Sequence, residues 1–224
     1  MLTSASLQLI AIITMIIDHV GLFLCGNDLG MRLVGRLAMP LFCFMLAEGF
    51  LHTKGKRWKY FGRLAIFALI SQLPFDLLSN SAVSPIRLNV MFTLATGFAA
   101  MALIEYGKWA VIGLPIFFIV AEYLHMDYGA YGIAMIVGFY LISKFLGKKK
   151  QKIWRWLAYI ITFFTSTTIY VAAKQNATQL FALLAIIPII LYNGKLGKRL
   201  PKWFGYIFYP AHLLAIFIIK SLFY

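Results

Sequence analysis

Nine stretches of the chain stay apolar for long enough to cross a lipid bilayer, and polar residues gather mainly between them. They run Leu7 to Cys25, Leu33 to Phe50, Phe61 to Leu78, Val90 to Tyr106 and Trp109 to Leu124, then Ala130 to Leu146, Trp154 to Ala172, Leu180 to Tyr192 and Tyr206 to Tyr224. A helix needs about 20 residues to cross a hydrocarbon core of about 30 Å, and no stretch alternates as a barrel strand would. The pattern predicts an all-α, polytopic transmembrane helical bundle of about nine spans, with residues 1–224 forming one integral-membrane domain. The short eighth stretch also fits a re-entrant segment.

Composition agrees, with 62% hydrophobic and 12% charged residues where soluble chains carry about 25% charged. Basic residues collect in short cytoplasmic loops of membrane proteins. With nine spans, sixteen of the 21 fall on one side: Lys54, Lys56, Arg57, Lys59, Arg63, Lys108, Lys144, Lys148, Lys149, Lys150, Lys152, Arg155, Lys195, Lys198, Arg199 and Lys202. This predicts a multi-pass protein of the inner (cytoplasmic) membrane with its N-terminus in the cytoplasm and its C-terminus outside. No Lys or Arg precedes the first apolar run, Asp18 lies inside it and no small-residue cleavage site follows, so the run reads as a retained helix and not a signal peptide.

The net charge of +14 is then mostly a one-sided belt, suited to anionic lipid headgroups and not to nucleic acid. Such a rim also concentrates a polyanionic cytosolic ligand, for which a coenzyme A thioester is one candidate. Two cysteines, Cys25 and Cys43, make neither a disulfide framework nor a metal site.

Chemistry enters with charge buried inside the first two spans. Asp18 and His19 lie deep in the first, Arg32 and Arg36 open the second, and Glu48 and His52 close it. An ionisable side chain at the bilayer centre costs about 3 kcal/mol on insertion scales, so such groups tend to be paired and functional. Asp18 and His19 point about 100° apart on a helix and need separate partners. Arg32 and Arg36 share a helix face and present a forked double cation, with snorkelling an adequate account of Arg32 but a strained one of Arg36. Pairing of Asp18 with Arg36 leaves His19 as the uncommitted imidazole near mid-membrane, suited to general-base work or transient acyl transfer.

Further along, Gln72 and Asp76 stand four apart around Pro74, and Asp76 adds a second carboxylate in the outer half. Asn89, Thr93 and Thr96 form one polar stripe with Gly97 beside it. The loop EYLHMDYGAYGI carries Glu122, His125 and Asp127 in an order that matches no firm metal pattern. Its turn reads equally as a structural corner or as a substrate-binding rim that includes Asp127. In the last span Tyr209 and His212 are three apart around Pro210, with His212 expected in the inner half.

Taken in order, IIDHVG, RLVGRLAMPLFCFMLAEGFLHT, ALISQLPFDLL, LNVMFTL, DYGAYGI and IFYPAHLL resemble the TraX family, whose namesake acetylates conjugative pilin, over most of the chain. The resemblance implies an acyl-coenzyme A donor, usually acetyl, used as co-substrate; no tightly bound cofactor is expected, and no metal site on the ligand pattern. It also implies an acceptor reached from the membrane or the far side but does not carry over which one; an amine or hydroxyl on a protein N-terminus, a glycan or a small molecule each fits. It carries over His19, Arg36, Glu48, Asp76, Asn89, Asp127 and His212 as matched positions without assigning their roles. On chemical grounds His19 is the expected base or acyl carrier, oriented by Asp18 or Asp76. His212 then serves the thioester end or relays protons, Arg36 stabilises an oxyanion or an anionic acceptor, and Arg32, Glu48, Asp76, Asn89, Asp127 and Tyr209 line the substrate path. Two other classes remain compatible: a secondary transporter, although no inverted repeat is visible, and a non-catalytic assembly factor.

Overall fold

The computed structural model describes residues 1–53, 55–79, 87–147, 152–198, 201 and 203–223. Lys54, Lys148, Lys149, Lys150, Arg199 and Lys202 of the basic loops lie outside the described residues, as does Tyr224. The helices are α1 (Ser4–Phe23), α2 (Leu29–Gly35), α3 (Ala38–His52), α4 (Arg57–Ser79) and α5 (Val90–Tyr106). After a 3-10 segment, Lys108–Gly113, come α6 (Leu114–Tyr123), α7 (Gly129–Leu146) and α8 (Lys152–Lys174). A second 3-10 segment, Ala177–Ala185, leads into α9 (Ile186–Ile190), and α10 (Phe204–Phe223) closes the order. No strand forms among the described residues, only two isolated bridges, Leu2 to Tyr192 and Leu88 to Met126.

This is the all-α membrane bundle that the hydropathy pattern predicts. Among the described residues, six helical stretches are long and apolar enough to cross a membrane, counting 29–52 as one, and three shorter apolar ones occupy the places of the fourth, fifth and eighth expected spans. The faces turned away from the core stay apolar: Leu69 and Leu73 on α4, Ile119 on α6, Ile161 and Ile169 on α8, Ile207 and Ile218 on α10 are all exposed. An outward apolar belt of this extent is what hydrocarbon, not water, solvates.

Two expected spans have a different local form. The second is broken, because Pro40 has no N–H to offer the Arg36 carbonyl and its ring crowds that turn. The chain tightens there, with Arg36 N–H and Leu37 N–H donating to Leu33 O and Val34 O at 3.3 Å. Arg36 therefore caps α2 instead of sitting inside one long helix. The eighth enters as 3-10 helix, which begins at Ala177 and is a thinner and longer form per residue, and turns α-helical only at Ile186.

The centre of the bundle is α3 against α7, with α5 and α8 on the other sides of α7 and α1 beside α3. Phe44 sits edge-on to Phe139, Tyr159 and Tyr192, and Phe50 to Phe98 and Tyr140. Helices α5 and α7 approach closely where Gly97 faces Ile136, since a Cβ there would fall 2.4 Å from Ile136 Cδ1. One end of the bundle gathers the N-terminus on residues 191–196 and joins Arg57, Lys144 and Glu105. The far end pairs Arg87 with Asp127 and Lys174 with Glu122.

Candidate functional site

The charged groups of the first two spans meet as a three-residue cluster. Asp18 Oδ1 accepts from Arg36 Nη2 at 2.9 Å and Oδ2 from Arg32 Nη1 at 2.7 Å, so each carboxylate oxygen has its own guanidinium. The side chains of Asp18 and Arg36 are only 11% and 8% exposed, which removes most competing water. Arg36 spends its other donors on the Arg32 carbonyl and on Gln179 Oε1, both at 3.2–3.3 Å. The pairing of Asp18 with Arg36 is as the sequence predicts. Arg32 does not snorkel away but completes the clamp. Its approach depends on Gly35, where a Cβ would lie 2.2 Å from Asp18.

His19, one residue on, faces another partner. Its Nδ1 lies 2.7 Å from Nε2 of His212, and Nδ1 of His212 lies 3.0 Å from the Phe208 carbonyl. His212 is therefore not a separate group, as its distance along the chain suggests, but the neighbour of His19. The expectation that Asp18 or Asp76 orients His19 is likewise overturned. Asp18 is held by arginines, and Asp76 Oδ1 accepts from Gln72 at 2.7 Å.

Two cavities lead to this point. An apolar one of about 320 Å3 runs between α1, α3, α4, α5 and α10, from Ser4, Gly49, Tyr60 and Gly205 up to Met15, Phe42, Val90 and Tyr209. Those last four residues also line a smaller cavity of about 50 Å3, whose other walls include Asp18, His19, Asp127 and Tyr128. Tyr209 thus stands between the two, buried and beside His212. At the wide end, the Arg63 guanidinium lies over the rings of Tyr60 and Tyr206, within 6 Å of each.

Asp127 enters from the α6–α7 turn, whose backbone is unusual. His125 and Tyr128 hold φ of +48° and +64°, conformations that cost non-glycine residues energy and that collect at functional sites. Thr93 donates to the Asp127 carbonyl and Arg87 Nη2 lies 3.6 Å from its carboxylate. Burial raises the Asp127 pKa above its ordinary value, with Arg87 and Arg36 opposing the shift.

The structure places the other predicted residues elsewhere. Glu48 accepts from Ser143 at 2.7 Å, in a chain that continues to Tyr159 on the α7–α8 side. Asn89 is fully buried but caps α5 through Met91 N–H and ties it to Gln72 and the Ala68 carbonyl. Gln72, Asp76 and Asn89 form one joint that fixes α4 to α5 at the far end. None of Glu48, Asp76 and Asn89 lines the small cavity. Sequence reasoning missed Gln179, wholly buried and bonded to both Arg36 and Tyr131, because the eighth span was begun one residue later. It also passed over Tyr128. A glutamine bordering the apolar run is the signal the sequence offers.

A helical membrane protein with an ion-paired hairpin, two adjoining histidines and a cavity running to them is the class that fold and site define. The family model "TraX protein" matches residues 3–220, and the chain belongs to the TraX family. It is 30% identical over 231 residues to the "probable fimbrial assembly protein FimC, serogroup H1" of Dichelobacter nodosus, covering 94% of this chain and 92% of that one. It is 29% identical over 141 residues to an uncharacterized protein of Rickettsia prowazekii, covering 59% of this chain and 53% of that one. No solved structure matches the chain.

Proposed function

We propose that this TraX-family protein is a membrane acyltransferase. It moves an acyl group, acetyl by the family resemblance, from acyl-coenzyme A to an amine or hydroxyl at or across the membrane. The observation that carries the reading is the adjoining pair of cavities. A passage whose wall residues Tyr60 and Tyr206 lie under the Arg63 guanidinium leads from the basic end to a small chamber lined in part by Asp18, His19 and Asp127. In this reading the basic end faces the cytoplasm, as the distribution of Lys and Arg favours, and Arg63 meets the phosphates of the donor. The pantetheine arm lies in the apolar passage and the thioester carbonyl reaches the chamber.

His19 takes the proton of the acceptor as its nitrogen or oxygen attacks the thioester carbon. The carbon–sulfur bond breaks, and the leaving thiolate recovers the proton. The Asp18–Arg32–Arg36 cluster keeps a surplus positive charge beside the chamber, which favours the oxyanion formed during attack. Asp127 and Arg87 form the approach from the far end. The printed name of the Dichelobacter relative suits an acceptor that is a fimbrial subunit presented there. That name alone equally favours a non-catalytic assembly factor.

The test is incubation of purified protein in nanodiscs with radiolabelled acetyl-coenzyme A. Hydrolysis or transfer of label is expected, and His19→Gln, in protein whose thermal melt shows it folded, should slow it about 100- to 10,000-fold. No release of label above protein-free nanodiscs, or wild-type rates in folded His19→Gln, would overturn the reading.

A further inference from the structure

The geometry of the two histidines assigns a role to each nitrogen. With ring bonds of about 1.35 Å, close to the partial double C–N length, an imidazole nitrogen lies about 1.15 Å from its ring centroid. The centroids of His19 and His212 are 5.0 Å apart and the facing nitrogens 2.7 Å apart. Those values leave about 0.1 Å of slack at most, so both nitrogens lie close to the line joining the centroids. Nitrogens on that line, in planes only 9° apart, mean coplanar rings meeting edge to edge and not face to face. A ring N–H points radially, so the hydrogen between them is aligned for a near-linear bond.

The direction of the bond follows from its far end. A backbone carbonyl only accepts, so His212 Nδ1, 3.0 Å from the Phe208 oxygen, carries a hydrogen. In the neutral pair His212 Nε2 is then bare and accepts, and His19 Nδ1 must donate. The remaining lone pair is on His19 Nε2, which no described residue hydrogen-bonds. Phe208 O, His212 and His19 form a polarity-fixed chain that starts on the α10 backbone and ends at the wall of the small cavity.

We propose that His212 is a positioning residue that holds His19 in the Nδ1–H tautomer and so makes His19 Nε2 the base that takes the acceptor's proton. The base role rests on the acyltransferase reading; the tautomer does not. When Nε2 gains the proton, His19 becomes an imidazolium that still donates to neutral His212, so the positive charge forms with its hydrogen bond already in place. The proton then passes from Nε2 to the thiolate, and the pair returns to its starting form with no net gain or loss.

Two measurements test this. Nitrogen-15 NMR of ring-labelled histidines in nanodiscs, assigned by single variants among four histidines, reads which nitrogen of His19 is protonated. His19 is expected as the Nδ1–H form in the wild type and in His212→Gln, whose carbonyl can still accept. In His212→Phe it should shift toward the Nε2–H form. Transfer rates should follow: His212→Gln stays within about tenfold of the wild type, while His212→Phe loses about 100-fold or more at equal thermal stability. An Nε2–H form of His19 in the wild type would overturn the assignment, as would equal rates and unchanged nitrogen shifts in the two variants. Inactivity of the wild type with every acyl-coenzyme A would remove the acyltransferase reading and the base role together, while the nitrogen shifts still decide the tautomer.

Discussion

Replacing Gly35 by alanine tests whether α1 and α2 meet only because a side chain is missing between them. A Cβ at Gly35 would fall 2.2 Å from Cβ and Oδ1 of Asp18 and 2.5 Å from its Cγ. Asp18 Cβ is fixed to the backbone, so no rotation clears it, and the helices must part by about 1.2 Å to regain ordinary contact at 3.4 Å. Overpacking of this kind costs about 1–3 kcal/mol. The separation also stretches the contacts of Asp18 with Arg32 and Arg36, and bonds to charged groups are worth about 1.5–3 kcal/mol each. A loss of about 4 kcal/mol, at about 2–4 °C per kcal/mol for a chain of this length, lowers Tm by about 8–16 °C. Tryptophan fluorescence of detergent-purified protein during heating measures it. Gly62→Ala is the control, because nothing lies within 4 Å of a Cβ there and the helix interior gains up to about 1 kcal/mol. A Gly35→Ala protein melting within about 2 °C of the wild type would refute the close contact and the clamp built on it.

Asp18→Asn should destabilise by about 3–5 kcal/mol, since it strands two buried guanidiniums, and Arg36→Gln by less, since Asp18 keeps Arg32. Their combination should cost less than the sum; simple additivity in thermal melts would show that the two do not interact. Asp127 supplies a pH dependence. Burial raises its folded pKa, so its proton is bound more tightly folded than unfolded. Its contribution is then fullest below the unfolded value of about 4 and lost as pH rises through the folded one. Asp127→Asn should therefore gain stability relative to the wild type as pH climbs from about 4 toward neutrality, and a constant difference across that range would contradict the shift.

The helices were legible because each lipid-crossing stretch must be apolar over a fixed length, and that constraint is written residue by residue. The break at Arg36 was not, although Gly35 and Pro40 both stand in the sequence, because either is tolerated within a membrane helix. The pairing of Asp18 with Arg36 could be inferred since two isolated opposite charges on neighbouring spans have few other partners. The meeting of His19 with His212 could not, being set by how α10 packs on α1, across 193 residues of chain. Glu48 and Asn89 illustrate the converse. Buried polar residues in apolar spans look functional one at a time, yet here they close hydrogen bonds between helices, with Ser143 in one case and Gln72 in the other.

The clamp on Asp18 also bears on how the chain enters the bilayer. On insertion scales a charged residue at the centre of a helix costs about 2.5–3.5 kcal/mol, and residues 4–23 and 29–52 carry Asp18, Arg32 and Arg36 between them. Inserted one after the other, each helix meets that cost alone; inserted together, the carboxylate and guanidiniums arrive already joined. Only five residues, 24–28, separate α1 from α2, and Asp28 N–H returns to the Gly21 carbonyl at 3.0 Å. The turn can therefore close before either helix leaves the insertion machinery, and the two should partition into lipid as one hairpin during biosynthesis.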